Sequence, residues 1–365
     1  MAKNANLIRA SKVKHDEFYT QIADIEREMK HYISHFKDKV IFCNCDDPEY
    51  SNFWRFFQLN FYRLGLKKLI STHYEENKPS YKMEIVSTNT DNGQDGVQIG
   101  IPDYVKTPLR QNGDFRSPEC IEILKEADIV ITNPPFSLFK EYISLLMEYD
   151  KKFIVIGSKN AITYKEIFQY LQDNKMWLGY GFKAGNAYFA IPENEVPNYS
   201  KDVYNPETGL VKFRNCCWYS NLDISKRHED LILVKKYNEK DYPRYANYDA
   251  IEVGKVADIP CDYYGNMGVP ITFLDVYNPE QFEIVGSSRW LGRPMSEIAP
   301  KGTYVSGGIR FYLLDNNEDI KDNQLSSAQL SSAQLSSAQL SSAQLSSAQL
   351  RYRCMYDRIV IKRKV

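Results

Sequence analysis

At 365 residues, with 43% apolar and 25% charged residues and a net charge of −1, the chain can bury a sizeable core as two domains or one elaborated domain. The opening MAKNANLIRASKVKH carries positive charge with no apolar run behind it, and no stretch is long enough to span a bilayer, so the cytoplasm is expected and no membrane partner. The seven cysteines form no CxxC pair and lack histidines at ligand spacing, so they read as reduced, mostly buried thiols and no metal is expected.

The near-neutral total hides an uneven distribution. Residues 1–15, a basic amino-terminal arm, hold Lys3, Arg9, Lys12 and Lys14 and no acid. Residues 351–365 hold Arg351, Arg353, Arg358, Lys362, Arg363 and Lys364 against Asp357 alone. The two ends carry +9, which leaves −10 on the body. Basic ends on an acidic body suit a phosphate backbone through counterion release, with Lys12 and Lys14 as candidate DNA contacts. A solubilising tail has the same composition.

Ile22, Ile25, Met29, Ile33 and Phe36 recur every three or four residues and predict an amphipathic helix over 16–37. Val40 to Cys45 reads as a strand ending in the turn Asp46-Asp47-Pro48, Asn52 to Leu64 as a helix, and Lys67 to Ser71 as a second strand. Glu84–Ser87 and Val97–Ile101 flank DNGQDG as a hairpin would. Ser117 is placed to cap a helix that has Pro118 at its first position. The strand Asp128–Thr132, a helix from Ser137 to about Glu148 and the strand Phe153–Gly157 follow. Strand and helix thus alternate through residue 157, as in a parallel sheet covered on both faces.

The catalytic body is taken as 16–225. Beyond it tyrosine, proline and asparagine cluster between short strand-like pieces, which marks a second module over 226–323. Lys226, Arg227 and His228 open it as a compact basic cluster, able to meet phosphate or guanine edges, although a solvated charged face would look the same. Residues 326–350 are five identical copies of SSAQL. A leucine every fifth residue makes no stripe on a helix and alternates faces on a strand, so 324–350 reads as a solvated linker whose copy number sets tether length. Residues 351–365 then return the chain to the fold through a terminal strand at Arg358-Ile-Val-Ile-Lys-Arg.

The sharpest chemical signal is Asn133-Pro134-Pro135-Phe136, directly after the strand DIVIT. Ligands of parallel α/β sheets bind at the carboxyl ends of strands, which is where this tetrapeptide falls. Two prolines fix the backbone and remove two amide donors, leaving carbonyls and the Asn133 side-chain oxygen as an acceptor-rich edge for an NH₂ group. Phe136 offers a flat face to a planar ring.

NPPF resembles the catalytic motif of the amino-methyltransferases, and Asp16-Glu17-Phe18-Tyr19-Thr20 resembles the cofactor motif that precedes it in one circularly ordered subclass. Together with NCDDP (44–48), GDFR (113–116), NPPFSLFKEY, NAITYKEIF (160–168) and GVPITFLDVYNPEQFEIVG (268–286), these segments resemble the EcoRI-type adenine-specific DNA methyltransferases. The likeness runs from about residue 14 to 286 and returns at 356–364.

The resemblance implies an S-adenosylmethionine-dependent methyltransferase fold, a Rossmann-like α/β domain with a seven-stranded, mostly parallel sheet, followed by a carboxyl-terminal target-recognition module. It implies Phe18 and Tyr19 at the methionine end of the cofactor S-adenosylmethionine, Asp46 near its glycine-rich loop, and Asp114 with Phe115 at its adenine. Asn133, Pro134 and Phe136 would hold the target adenine. One departure stands out: NCDDP replaces the usual GxG, and the second strand ends Thr72-His73-Tyr74 without its expected acid. The implied activity is N6-methylation of an adenine flipped from duplex DNA, by a monomer whose companion restriction endonuclease acts on the same site without a stable complex. GAATTC is the first site to test. A methyltransferase of RNA adenine or protein glutamine shares the NPPF chemistry, and a silent DNA-binding relative shares the fold.

Overall fold

The computed structural model describes residues 18–45, 47–76, 79–87, 100–191, 196–197, 199–200, 202–304, 310–315 and 351–364. They fall into two units that divide between Arg227 and His228.

In the first unit a two-residue strand, β1 (Tyr19–Thr20), precedes helix α1 (Ile22–Met29) and strand β2 (Val40–Cys43). Helix α2 (Asn52–Leu59) and the single turn α3 (Phe61–Leu64) lead to β3 (Lys68–Thr72), β4 (Tyr81–Val86) and β5 (Val105–Pro108). Then come α4 (Pro118–Glu126), β6 (Ile129–Thr132), α5 (Phe139–Glu148), β7 (Lys152–Ser158) and α6 (Lys165–Gln172). Five strands close the unit: β8 (Trp177–Leu178), β9 (Asn186–Ala190), β10 (Tyr204–Asn205), β11 (Leu210–Arg214) and β12 (Cys216–Ser220).

The main sheet has eight strands in the order β5-β4-β3-β2-β6-β7-β12-β8. Only its centre is parallel, β3-β2-β6-β7, each step bridged by helices. Every residue of β2 and β6 is buried, as strands covered on both faces require. The sheet thus has eight strands where seven were expected, and only its three central pairings are parallel. Residues 73–80 are too few for a crossover, so β4 returns antiparallel to β3, and β5 continues the meander. On the other flank β12 inserts antiparallel between β7 and β8.

A second sheet, β1-β9-β11-β10, is antiparallel throughout. It accounts for the shortened first helix, because Tyr19 and Thr20 pair with Ala190 and Phe189 instead of winding. Ile25, Met29 and Phe36 are buried as the periodicity demands, whereas Ile33, in a single 3-10 turn after the helix, is exposed. The expected helix over 52–64 breaks at Asn60, whose side chain donates to the Phe56 carbonyl at 2.7 Å. The hairpin partner expected at 97–101 lies instead at β5, and residues 100–101 form no strand. The cap at Ser117 forms as read, its hydroxyl accepting from the Cys120 amide.

The second unit contains β13 (Ile251–Glu252), β14 (Met267–Pro270), β15 (Phe282–Ser287), α7 (Ser288–Leu291), β16 (Tyr312–Asp315), β17 (Arg351–Cys354) and β18 (Arg358–Arg363). Four of them form a sheet in the order β13-β14-β18-β15, so the last strand of the chain is an inner strand. Arg358 is buried there and grips Glu252 through Nε at 3.0 and 3.1 Å and through its terminal nitrogen at 2.6 Å. Tyr245 donates its hydroxyl to the same carboxylate. No described helix is long and apolar enough to cross a membrane.

Strands β16 and β17 pair antiparallel, with Asp315 directly opposite Arg351. The repeat segment lies outside the described residues, yet its two flanks are held together by that pairing. Changing the number of repeats then alters only the closure entropy between fixed ends. Reducing five copies to one should shift stability by less than about 1 kcal/mol. Urea denaturation of the two forms tests this, and a larger shift would show that the repeats contribute contacts.

Candidate active site

Strand β6 ends at Thr132 because two prolines follow Asn133 and supply no amide for the ladder. Pro135, at φ −52° and ψ 125°, turns the chain into a 3-10 turn over Phe136–Leu138, and α5 starts at Phe139. Asn133 and Pro134 are buried; Pro135 and Phe136 are half-buried.

The Asn133 amide nitrogen donates to the backbone carbonyl of Phe18 at 2.7 Å. A carbonyl can only accept, so this bond determines which way the amide faces and turns Oδ1 to the other side. That oxygen is buried, and among the described residues no donor reaches it. Leaving a buried acceptor unpaired costs about 1–3 kcal/mol, which a ligand carrying an N–H would recover.

Phe18 is buried beneath the corner. Its ring lies 5.7 Å from that of Phe136 and 4.7 Å from Phe213 in an edge contact. Phe189 lies 5.8 Å from Phe18 and 6.4 Å from Phe136. The small antiparallel sheet, which contributes Phe189 and Phe213, thus braces both Phe18 and the ring expected to stack on a base. Nothing in the residue spacing between 177 and 220 announced that sheet, because its strands are short and not contiguous in sequence.

Three further side chains complete the corner. Thr132 donates its hydroxyl to the Asn44 carbonyl, and Tyr142 on α5 donates to Asn44 Oδ1. Tyr142 in turn meets Phe115 edge-on at 5.0 Å. A continuous set of contacts therefore joins Phe115, Tyr142, Asn44, Thr132, Asn133 and Phe18 across the carboxyl ends of β2 and β6. Tyr142 and Thr132 were not singled out by sequence; a tyrosine three residues into a helix that follows the motif was the available signal.

Asp114 accepts from the Arg116 amide at 2.8 Å and from its guanidinium at 2.9 and 2.6 Å. That hydrogen bonding holds the carboxyl below its usual range despite partial burial, so Asp114 is an ionised acceptor. Gly113 beside it takes φ +80°, and an added Cβ would stand 1.9 Å from the His73 carbonyl, so the loop can close on the end of β3 only with glycine there. At the position of the missing GxG, Cys45 takes a left-handed φ of +68°. Asp47 accepts from Tyr81 at 2.8 Å and from the Glu49 amide at 3.0 Å, and His73 Nε2 lies 3.6 Å from its other oxygen. Tyr19 packs its ring 6.3 Å from Tyr50. Asp46, Lys12 and Lys14 lie outside the described residues.

The basic cluster at 226–228 has internal partners at two of its members, Lys226 and Arg227. Arg227 is buried, stacks on Trp177 at 3.5 Å, bonds Asp223 at 3.2 Å and also bonds the Asn174 side chain. Lys226 donates to the Gly179 carbonyl at 3.0 Å and lies over Tyr180 at 5.5 Å. That loop hangs on Glu28, which is fully buried and accepts from the Tyr180 and Gly181 amides and from Tyr32. Burial pushes the Glu28 carboxyl up, against those hydrogen bonds. Arg227 is thus engaged within the first unit by Trp177, Asp223 and Asn174.

The mixed α/β sheet with NPPF at the end of an inner strand is the arrangement expected of a methyltransferase. The profile described as Adenine-specific methyltransferase EcoRI matches residues 6–364, and the chain belongs to that family. It is 48% identical over 295 residues to the Type II methyltransferase M.EcoRI of Escherichia coli, covering 78% of this chain and 90% of the relative. It is 42% identical over 290 residues to Type II methyltransferase M.MgeORF184P of Mycoplasma genitalium and 39% identical over 282 residues to M.MpnI of Mycoplasma pneumoniae. Each of these alignments covers 76% of this chain and 84% of the relative. No solved structure matches the chain.

Replacing Arg227 by Ala should destabilise the protein by about 1.5–3 kcal/mol through its lost charged hydrogen bonds. The salt dependence of DNA binding should stay unchanged. A flatter salt slope with intact stability would show Arg227 to be a phosphate contact.

Proposed function

We propose that this enzyme transfers a methyl group from S-adenosylmethionine to N6 of an adenine flipped out of a short duplex DNA site. It would serve as the modification half of a type II restriction-modification system, with GAATTC as the first site to examine. The reading is carried by one observation, the buried Asn133 Oδ1 that no described donor reaches, beside a proline corner that has no amides to spare. Membership of the adenine-specific family supports the base, and relatives named as Type II methyltransferases support the biological setting.

The residues present suit the cofactor. Phe18 and Tyr19 would bound its methionine end, and Asp114, kept ionised by Arg116, would accept from its adenine amine beside Phe115. The contacts through Tyr142 and Asn44 link that end of the site to Asn133. When bound, the cofactor supplies the electrophilic methyl carbon.

The chain's own part is to make a poor nucleophile attack. The adenine N6 lone pair is delocalised into the ring. Asn133 Oδ1 and the Pro134 carbonyl would accept its two N–H bonds, draw the nitrogen toward tetrahedral geometry and offset the positive charge that grows there, the mirror image of an oxyanion hole. Holding the nitrogen in line with the methyl removes further entropy from the step. Extrusion of the base costs about a few kcal/mol, of which stacking on Phe136 returns about 1–3 kcal/mol.

Losing the acceptor in Asn133→Ala should lower turnover by about 10²–10³ by analogy with removal of one oxyanion-hole donor. Cofactor affinity, read by calorimetry, should persist; near-normal turnover would refute the role. Tritium transfer from labelled cofactor, offered to duplex DNA, RNA and protein in parallel, tests the substrate class. Label in DNA alone is expected, and label confined to RNA or protein would overturn the reading.

A further inference from the structure

The second unit contains a cavity of about 630 Å³ lined by residues 244–249 together with Leu291 and Arg293. Its floor is rigid. Asn247 is buried, and its side-chain amide donates to the carbonyls of Arg293 at 2.9 Å and Arg310 at 2.5 Å, while its oxygen accepts from the Tyr312 amide at 3.0 Å. The Arg293 amide returns a bond to the Asn247 carbonyl at 3.0 Å. Tyr248 stacks flat on Phe311 at 4.9 Å.

The charged groups on this frame are arranged differently from one another. Arg244 is engaged, bonding Asp249 at 2.8 Å. Asp249 is almost fully exposed, and only its Oδ1 is occupied by that bond. Arg293 is exposed, its backbone is clamped at both amide and carbonyl, and among the described residues no acid or ring engages its guanidinium. The backbone of Arg293 is held in place while its planar fork is uncommitted, and planar, two-acceptor recognition uses such a fork.

An exposed carboxylate in the same cavity argues against a phosphate as its ligand, since it would repel one. It suits a base pair that presents both acceptors and a donor. In the major groove guanine offers N7 and O6 as acceptors and cytosine offers its N4 amine as donor. We propose that this cavity reads one G·C base pair of the target site through the major groove, with Arg293 forked onto guanine and Asp249 accepting from the cytosine amine. The assignment rests on the reading of duplex DNA as substrate and adds to it a place where sequence is discriminated.

The test uses the full-length enzyme and duplexes carrying its methylation site, established by sequencing modified bases. Guanines are replaced one at a time by 7-deazaguanine, which lacks the N7 acceptor. For the wild type, kcat/KM should fall at one guanine by up to about 5- to 150-fold, the span of a whole bidentate arginine–guanine contact of which O6 keeps one bond. Arg293→Ala should show that loss on the natural duplex and indifference to the substitution at that position, while other guanines keep their effect. Arg293→Lys, which retains the charge, should lose the same discrimination without altering the salt slope of binding. Thermal unfolding of both variants at the wild-type midpoint excludes a folding defect, and Asp249→Asn should weaken discrimination at the paired cytosine. A uniform loss with a salt slope lower by about one would make Arg293 a phosphate contact and overturn the proposal. Undiminished sensitivity at every guanine, or a site without G·C, would also overturn it. A wild type that methylates RNA or protein in place of duplex DNA defeats the functional reading itself, an outcome distinct from failure of the pocket.

Discussion

The hydrogen bond from the Asn133 amide to the Phe18 carbonyl decides what the corner can do. It connects the segment before the first small strand to the end of β6, two places far apart in the chain, and it assigns donor and acceptor to opposite sides of one side chain. If that bond is lost, the amide can turn over and present hydrogen where its oxygen now lies. The rest of the first unit can be understood as what keeps Phe18 and Asn133 in place.

Two supports converge there. From the main sheet, parallel pairing of β2 with β6 brings Asn44 alongside Thr132, and Tyr142 ties both to the following helix. From the small sheet, β1 pairs with β9, and Phe189 and Phe213 close around Phe18 and Phe136. Phe136 therefore has packing partners on its protein side, which limits its freedom, as the proposed stacking on a base would need. The second unit is stabilised by its last strand, fixed through the buried Arg358–Glu252 pair. Removing one partner of such a pair leaves a lone buried charge, so the terminal strand is required by its unit even though it follows a long repeat.

The parallel centre of the fold was legible because β2, β6 and β7 are continuous apolar runs separated by helices, and the end of β6 was legible because the prolines of NPPF supply no amides to the ladder. The flanks were not. β4, β5 and β12 pair antiparallel through connections whose length, not composition, sets their sense. The small sheet consists of pieces too short for alternation to register. In the site, Asn133 and Phe18 could be named from motifs, but the bond between them is a tertiary fact. The burial of Arg227 was hidden for a related reason: a basic run in sequence carries no sign of the tryptophan it stacks on.

The most direct measurement of this account is a crystal structure of the enzyme with duplex DNA and a cofactor analogue that cannot transfer methyl. The account predicts the target adenine outside the stack, its N6 within hydrogen-bond distance of Asn133 Oδ1 and of the Pro134 carbonyl, with the Asn133 nitrogen still on Phe18. An Asn133 oxygen bonded to a protein donor, with the adenine amine held elsewhere, would contradict it.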